Sequence, residues 1–259
     1  MDLGIKGRKA IVCAASKGLG KGCAMKLAED GVNLTICART AGPLEETAQE
    51  IRDKTGVDVS ALAVDITTEA GRAAVLEACP APDILINNAG GPPTGDFKNF
   101  SMDDWRKAVE GNMITPIGLI HATVYGMMDR GFGRIVNITS FSVKMPIAAL
   151  ELSNGARAGL TGAVAALARR SAAKNVTING LLPGPFDTDR LRGTTDKMAE
   201  ASGRPAEEIH RERMQEVPAK RFGTAEEFGA MAAFLCSQHG GYITGQNIVM
   251  DGGTYPGTL

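Results

Sequence analysis

Short apolar runs recur along the chain, and each gap between them is long enough for a helix or a loop. They are KAIVCAA (9–15), NLTICAR (33–39), VSALAVD (59–65), DILINNAG (83–90), RIVNITS (134–140), VTINGLL (176–182) and NIVMDGG (247–253). Several are apolar at consecutive positions, as strands in a sheet covered on both faces must be. The segments between them include LGKGCAMKLAEDG and AGPLEETAQEIRDKTG, both helical in pattern, and the second closes on a glycine suited to a helix C-cap. Such alternation predicts βαβ units with right-handed crossovers. The expected fold is α/β: a doubly wound Rossmann domain whose seven-stranded parallel sheet carries helices on both faces. No Pro/Gly/Ser-rich linker and no internal repeat divides the chain, so residues 1–259 read as one domain. One segment breaks the alternation. Residues 187–218 are polar and charged and long enough for two short helices, either a mobile substrate lid or a surface insertion.

Composition narrows the function more than the fold. The 259 residues are 44% hydrophobic and 22% charged, with a formal net charge of -1. That balance gives no support to nucleic-acid or anionic-membrane binding. No apolar run approaches the roughly 20 residues needed to span a bilayer. The first residues also lack the pattern of a signal peptide. Cys13, Cys23, Cys37, Cys79 and Cys236 are odd in number and scattered, as expected of reduced, buried thiols in a cytoplasmic protein. His121, His210 and His239 are too widely separated to suggest a metal centre.

The first chemical signal is CAASKGLGKG (13–22), which joins the first strand to the first helix. Gly18, Gly20 and Gly22 allow close backbone approach, and the N-terminus of the following helix offers amide donors to a diphosphate. The loop lacks the first two glycines of the G-x-G-x-x-G pattern.

The order of motifs resembles that of a short-chain dehydrogenase/reductase of the 3-oxoacyl-ACP reductase type, from the first strand to the C-terminus. The family's T-G-x-x-x-G-x-G motif is matched as Cys13-Ala14-x-x-x-Gly18-x-Gly20, with Ala14 in place of the first glycine. NNAG (87–90), Asn112, LLPGPFDTD (181–189) and GYITGQNIVMDGG (241–253) follow in the family's order. The resemblance implies a nicotinamide cofactor held by Ala14, Ser16, Lys17, Gly18, Leu19 and Gly20 around the diphosphate. Asp65 and Ile66 would meet the adenine, and Asn88, Ala89 and Gly90 the ribose region. Pro183, Gly184, Phe186 and Thr188 would hold the nicotinamide, with Thr188 on its carboxamide.

The end of the second strand carries Arg39 where a carboxylate would favour NAD. Arg39 and Lys17 suit a ribose 2′-phosphate through charge-assisted hydrogen bonds, and in related enzymes that pair means NADP(H). Otherwise both are solvated surface charges.

The resemblance also exposes an anomaly. Family members use a Ser, a Tyr, a Lys one turn after the Tyr, and an Asn. Ser140 and Asn112 fit the first and last of these. The Tyr position, 13 residues after Ser140, is Ser153, and the Lys position is Arg157. An aliphatic hydroxyl is a much weaker acid than a phenol of pKa near 10. An arginine, with a pKa above about 12, presents donors rather than relaying a proton. Arg157 can also serve the cofactor ribose, while Ser140, Lys144, Met145 and Leu152 are the candidate substrate contacts. Lys144 is either a second acid or an exposed loop lysine. The expected activity is NADP(H)-dependent hydride transfer between nicotinamide and a small carbonyl or alcohol substrate with an altered proton donor. The alternatives are a nucleotide-binding protein without turnover and a lyase or isomerase using the same pocket.

Two expectations concern surfaces. The charges of 187–218, including Arg190, Arg192, Arg204 and Arg213, either meet an anionic substrate or face water. Small residues on helix 151–170 (Gly155, Ala156, Gly159, Gly162, Ala163, Ala166) either let another helix approach closely or pack on the sheet. In related proteins this helix pairs with a symmetry mate, implying a homodimer or homotetramer.

Overall fold

A computed structural model describes residues 1–257. All seven apolar runs become strands: β1 (Lys9–Cys13), β2 (Asn33–Ala38), β3 (Val59–Ala63), β4 (Ile84–Asn87), β5 (Gly133–Ile138), β6 (Val176–Pro183) and β7 (Asn247–Met250). They form one parallel sheet in the order β3-β2-β1-β4-β5-β6-β7. The winding reverses between β1 and β4, and the carboxyl ends of those two strands open a crevice where ligands of such sheets bind.

The helices are α1 (Gly18–Glu29), α2 (Ala41–Thr55), α3 (Glu69–Ala78), α4 (Met102–Val109), α5 (Thr115–Asp129), α6 (Glu151–Ala172), α7 (Asp189–Ser202), α8 (Ala206–Glu216) and α9 (Ala225–Cys236). The sheet's pleat divides its apolar residues between two cores. Val12, Ile36, Ile86 and Val136 face α1, α2 and α9; Ile11, Leu85, Ile135 and Ile178 face α3, α5 and α6. Gly56 caps α2 as the pattern predicts: it is left-handed (φ 72°), and its N–H donates to the Arg52 carbonyl.

Residues 187–218 form the two expected helices, α7 and α8, packed over Leu191, Val217 and Phe222. No helix among the described residues is long and apolar enough to cross a membrane. The five cysteines are free and buried, and no cluster of metal-ligating side chains occurs among the described residues.

Two expectations about small residues need correction. Gly22 does not serve the nucleotide loop. It faces α9, where a side chain on Gly22 would collide with the Ala225 carbonyl and one on Gly229 with the Gly22 carbonyl. On α6, Gly155 and Gly159 are not free to receive a second molecule. They take Trp105 and Met113, whose bulk fills the space a Cβ would need. Gly162 alone of the α6 glycines meets nothing within 4 Å.

The α1–α9 crossing yields a test. Gly22→Ala forces two backbones apart and is expected to cost about 3 kcal/mol, the upper range for overpacking. Chemical denaturation reads that cost, and an unchanged midpoint would refute the packing role.

Candidate active site

The crevice begins where β1 ends. Ala14 turns the chain at φ 50°, a left-handed conformation that costs a residue with a Cβ about 1–2 kcal/mol. A glycine at this position would relieve that strain. Gly18 follows at φ 57°. Gly20 has no room for a side chain: a Cβ would overlap the Ala14 carbonyl and lie 2.9 Å from Asn88 Nδ2. Asn88 Nδ2 donates to that carbonyl at 3.5 Å, tying the β1 turn to the end of β4. The first turn of α1 carries no acidic residue and no side-chain cap. Its amides therefore remain open to an anion, which suits the diphosphate of a dinucleotide.

One end of the crevice is a cleft of about 500 Å³, with Ala14, Ser16, Lys17, Arg39, Asp65, Ile66, Ala89 and Gly90 among its walls. The Asp65 carboxylate accepts from Thr67 N at 2.9 Å and Thr67 Oγ1 at 2.8 Å. These bonds, with Arg39 nearby, hold it below the usual carboxylate range. The two cations expected here differ. Lys17 Nζ is paired with Asp189 Oδ2 at 2.9 Å, whereas Arg39 has no hydrogen bond or ion pair among the described residues.

The other end is a cleft of about 410 Å³ in which Leu19, Asn88, Ser140, Ser153, Arg157, Pro183, Gly184, Phe186 and Thr188 meet. Two hydroxyls are oriented in the same sense. Ser140, just past β5, accepts from Ser142 N at 3.1 Å. Ser153, on α6, accepts from Arg157 Nε at 3.1 Å. Each has a lone pair occupied, and neither proton is given to another atom among the described residues. Thr188 caps α7 by accepting from Leu191 N.

Arg157 is the unusual group. It is 8% exposed, and among the described residues its guanidinium donates only to neutral partners, Ser153 Oγ and, from Nη1 at 2.9 Å, the Ile138 carbonyl. Burial, and secondarily the charge of Arg190, brings its pKa down to about 10. It remains a cation at neutral pH.

Asn112 lies in a π-helical segment, Glu110–Ile114, between α4 and α5. Its Nδ2 donates to the Ala108 carbonyl at 3.4 Å, while its Oδ1 is buried without a protein partner. Beside it, a cavity of about 10 Å³, lined also by Asn87 and Arg157, is the size of one water.

Three expected substrate contacts are not in the cleft. Lys144 is exposed. Met145 is half-buried outside the lining, and Leu152 is wholly buried because it sits on the packed side of α6. The apolar walls are instead Phe141, Ile147, Leu150 and Leu191. The first three share a segment with the expected contacts, so the pattern located the segment and missed the register. From segment 187–218, Arg190 and Arg213 line the cleft, whereas Arg192 and Arg204 pair with Asp187, Glu208 and Glu212 outside it.

Residues 13–255 match the family model described as Enoyl-(Acyl carrier protein) reductase. The chain is 32% identical over 257 residues to the 3-oxoacyl-[acyl-carrier-protein] reductase FabG of Vibrio cholerae, covering 98% of this chain and 99% of that protein. The chain belongs to the short-chain dehydrogenase/reductase family. Within this family it is also 32% identical over 252 residues to the NADPH-dependent reductase BacG of Bacillus subtilis, covering 95% of this chain and 97% of that one. Among solved structures it is similar to L-sorbose reductase from Gluconobacter frateurii complexed with NADPH and L-sorbose. That match has a TM-score of 0.94, 29% identity, and coverage of 99% and 100%. The seven-stranded parallel fold is therefore shared with solved members of the family.

The uncompensated Arg157 makes a prediction about stability. A charge buried among neutral groups opposes folding, and with the pKa lowered, that penalty is in force at every pH below about 10. Arg157→Met is expected to stabilise the ligand-free protein by about 1–2 kcal/mol, raising its melting temperature by roughly 3–6 °C. A lower melting temperature would show that the two neutral hydrogen bonds outweigh the burial cost.

Proposed function

We propose that the protein is an NADP(H)-dependent reductase of small carbonyl compounds, with Ser140, Ser153 and Arg157 taking the place of the usual proton-donor set. The reading rests on one observation: two hydroxyls whose protons are uncommitted share a cleft wall, and a buried cation backs one of them. That arrangement is complementary to an oxygen acquiring negative charge.

The glycine turn and open α1 amides fit the cofactor diphosphate, Arg39 fits the 2′-phosphate, and the Ala89–Gly90 and Pro183–Thr188 walls fit the nicotinamide half. Bound there, the cofactor supplies the hydride. Ser140 and Ser153 donate hydrogen bonds to the carbonyl oxygen and hold it in place. As that oxygen becomes an alkoxide, it takes the Ser153 proton. Arg157, donating to Ser153 Oγ, stabilises the charge left on that oxygen until water returns a proton. Asn112 holds a water beside Arg157 in the small cavity. Lys144 has no part, since it is exposed away from the cleft.

The free thiols fit a reducing, cytoplasmic setting. The outer face of α5 and α6, with Ile117, Val124, Tyr125, Ala163 and Leu167 around an open groove, is the surface we assign to a homodimer or homotetramer.

Two measurements test the reading. Purified protein is titrated with NADPH and NADH, then assayed on β-keto esters, diketones, quinones and aldehydes. Arg39→Ala is expected to lower the preference for NADPH over NADH by about 10–100-fold, the scale of one or two charge-assisted bonds. An unchanged preference would remove Arg39 from the site. Ser140→Ala and Ser153→Ala are each expected to reduce kcat by about 10²–10³-fold with little change in NADPH affinity. Wild-type-like turnover by either variant, or NADPH binding with no turnover on any substrate, would count against this mechanism.

A further inference from the structure

The charges that line the catalytic cleft are all of one sign. Arg157, Arg190 and Arg213 reach it, and no Asp, Glu or Lys does. None of the three arginines forms an ion pair among the described residues. Three neighbouring carboxylates are already engaged elsewhere: Asp187 with Arg192, Asp189 with Lys17, and Glu212 with Arg204. Glu216 acts on Arg213 from a distance, without forming an ion pair. Arg213 is anchored to α7 through the Thr194 hydroxyl and the Leu191 carbonyl. Arg190 stands at the cleft mouth. Its guanidinium lies so close to Gly91 that a side chain there would collide with it, and its Nη2 reaches the Pro92 carbonyl at 3.3 Å. The remaining donors of Arg190 have no acceptor among the described residues.

A cluster of like charges whose direct hydrogen-bond partners are all neutral calls for an anion. The anion must also be small, because the cleft is about 410 Å³ and its other walls are largely apolar, including Phe141, Ile147 and Leu150. We propose that the substrate is a keto acid, its carboxylate held by the Arg190 guanidinium at the cleft mouth, with Arg213 as the second cation, while its carbonyl oxygen lies on Ser140 and Ser153. A planar guanidinium matches the two oxygens of a carboxylate. The proposal rests on the reductase reading above, and its test separates the two.

The NADPH-loaded full-length protein is assayed with 2-oxo and 3-oxo acids of four to ten carbons, and with the methyl ester of each. Binding of the matching hydroxy acids to the NADP⁺-loaded protein is measured in parallel by calorimetry. The acids are expected to show kcat/KM about 100-fold above their esters, since removing one partner of a charge-assisted pair costs about that much. Arg190→Gln is expected to raise KM for the acids by about 30–100-fold and collapse the acid-to-ester ratio. Arg190→Lys restores part of it, and Arg192→Gln, outside the cleft, leaves it unchanged. Equal use of acids and esters overturns the proposal. So does an Arg190→Gln variant whose NADPH affinity falls as much as its use of acids, because the guanidinium would then serve the cofactor. Hydroxy acids that bind through Arg190 while no keto acid is reduced uphold the carboxylate site and sink the reductase reading. Acids that neither bind nor react overturn the carboxylate site.

Discussion

A guanidinium held out of water with no carboxylate beside it is the constraint around which the cleft is arranged. Arg157 places two of its five donors on a hydroxyl and a carbonyl, both neutral, so its charge is oriented but not cancelled. The α6 backbone makes this possible. Gly155 and Gly159 let the helix sit tightly against Trp105 and Met113, and Ser153 and Arg157, one turn apart, then face the cleft together. The bond between them also orients the serine. Once Ser153 Oγ accepts from Arg157 Nε, its proton is left for whatever occupies the cleft. An interaction that opposes folding is thus coupled to one that prepares the site for negative charge.

The glycine-rich loop shows how one short sequence serves two physical demands. Gly20 is needed because the backbone of β1 passes too close for a side chain, and Gly22 because α9 does. The two are separated by one residue, yet they face different neighbours. Ala14 accepts a left-handed conformation at the same turn, a strain borne where β1, α1 and the β4 loop converge on the crevice.

Segment 187–218 divides its charges between outside and inside. Arg192 and Arg204 pair with carboxylates on the solvent side, where such pairs contribute little to stability. Arg190 and Arg213 turn inward without carboxylate partners. Lys17 and Asp189 join segment 187–218 to the glycine loop, so the cation expected at the ribose edge is shared with that segment.

By itself the sequence determined the sheet, the crossovers and the position of the crevice. Strand and helix periods are local, and the handedness of βαβ units leaves little topological choice. The expected residues Ser140, Ser153 and Arg157 lie together at one cleft, with Asn112 beside Arg157, because motif spacing along a strand, a turn and a helix transfers directly into space. Only the tertiary structure decided which neighbouring residues face the cleft. Leu152 is buried while Leu150 lines the cleft, and Lys144 is exposed while Phe141 lines it. The segment between β5 and α6 is short and irregular, without a period from which a direction can be read. The tertiary structure also decided which charges remain unpaired. Pairing depends on contacts between residues distant in the chain, and Lys17 with Asp189 could not be distinguished from Arg39 by sequence pattern.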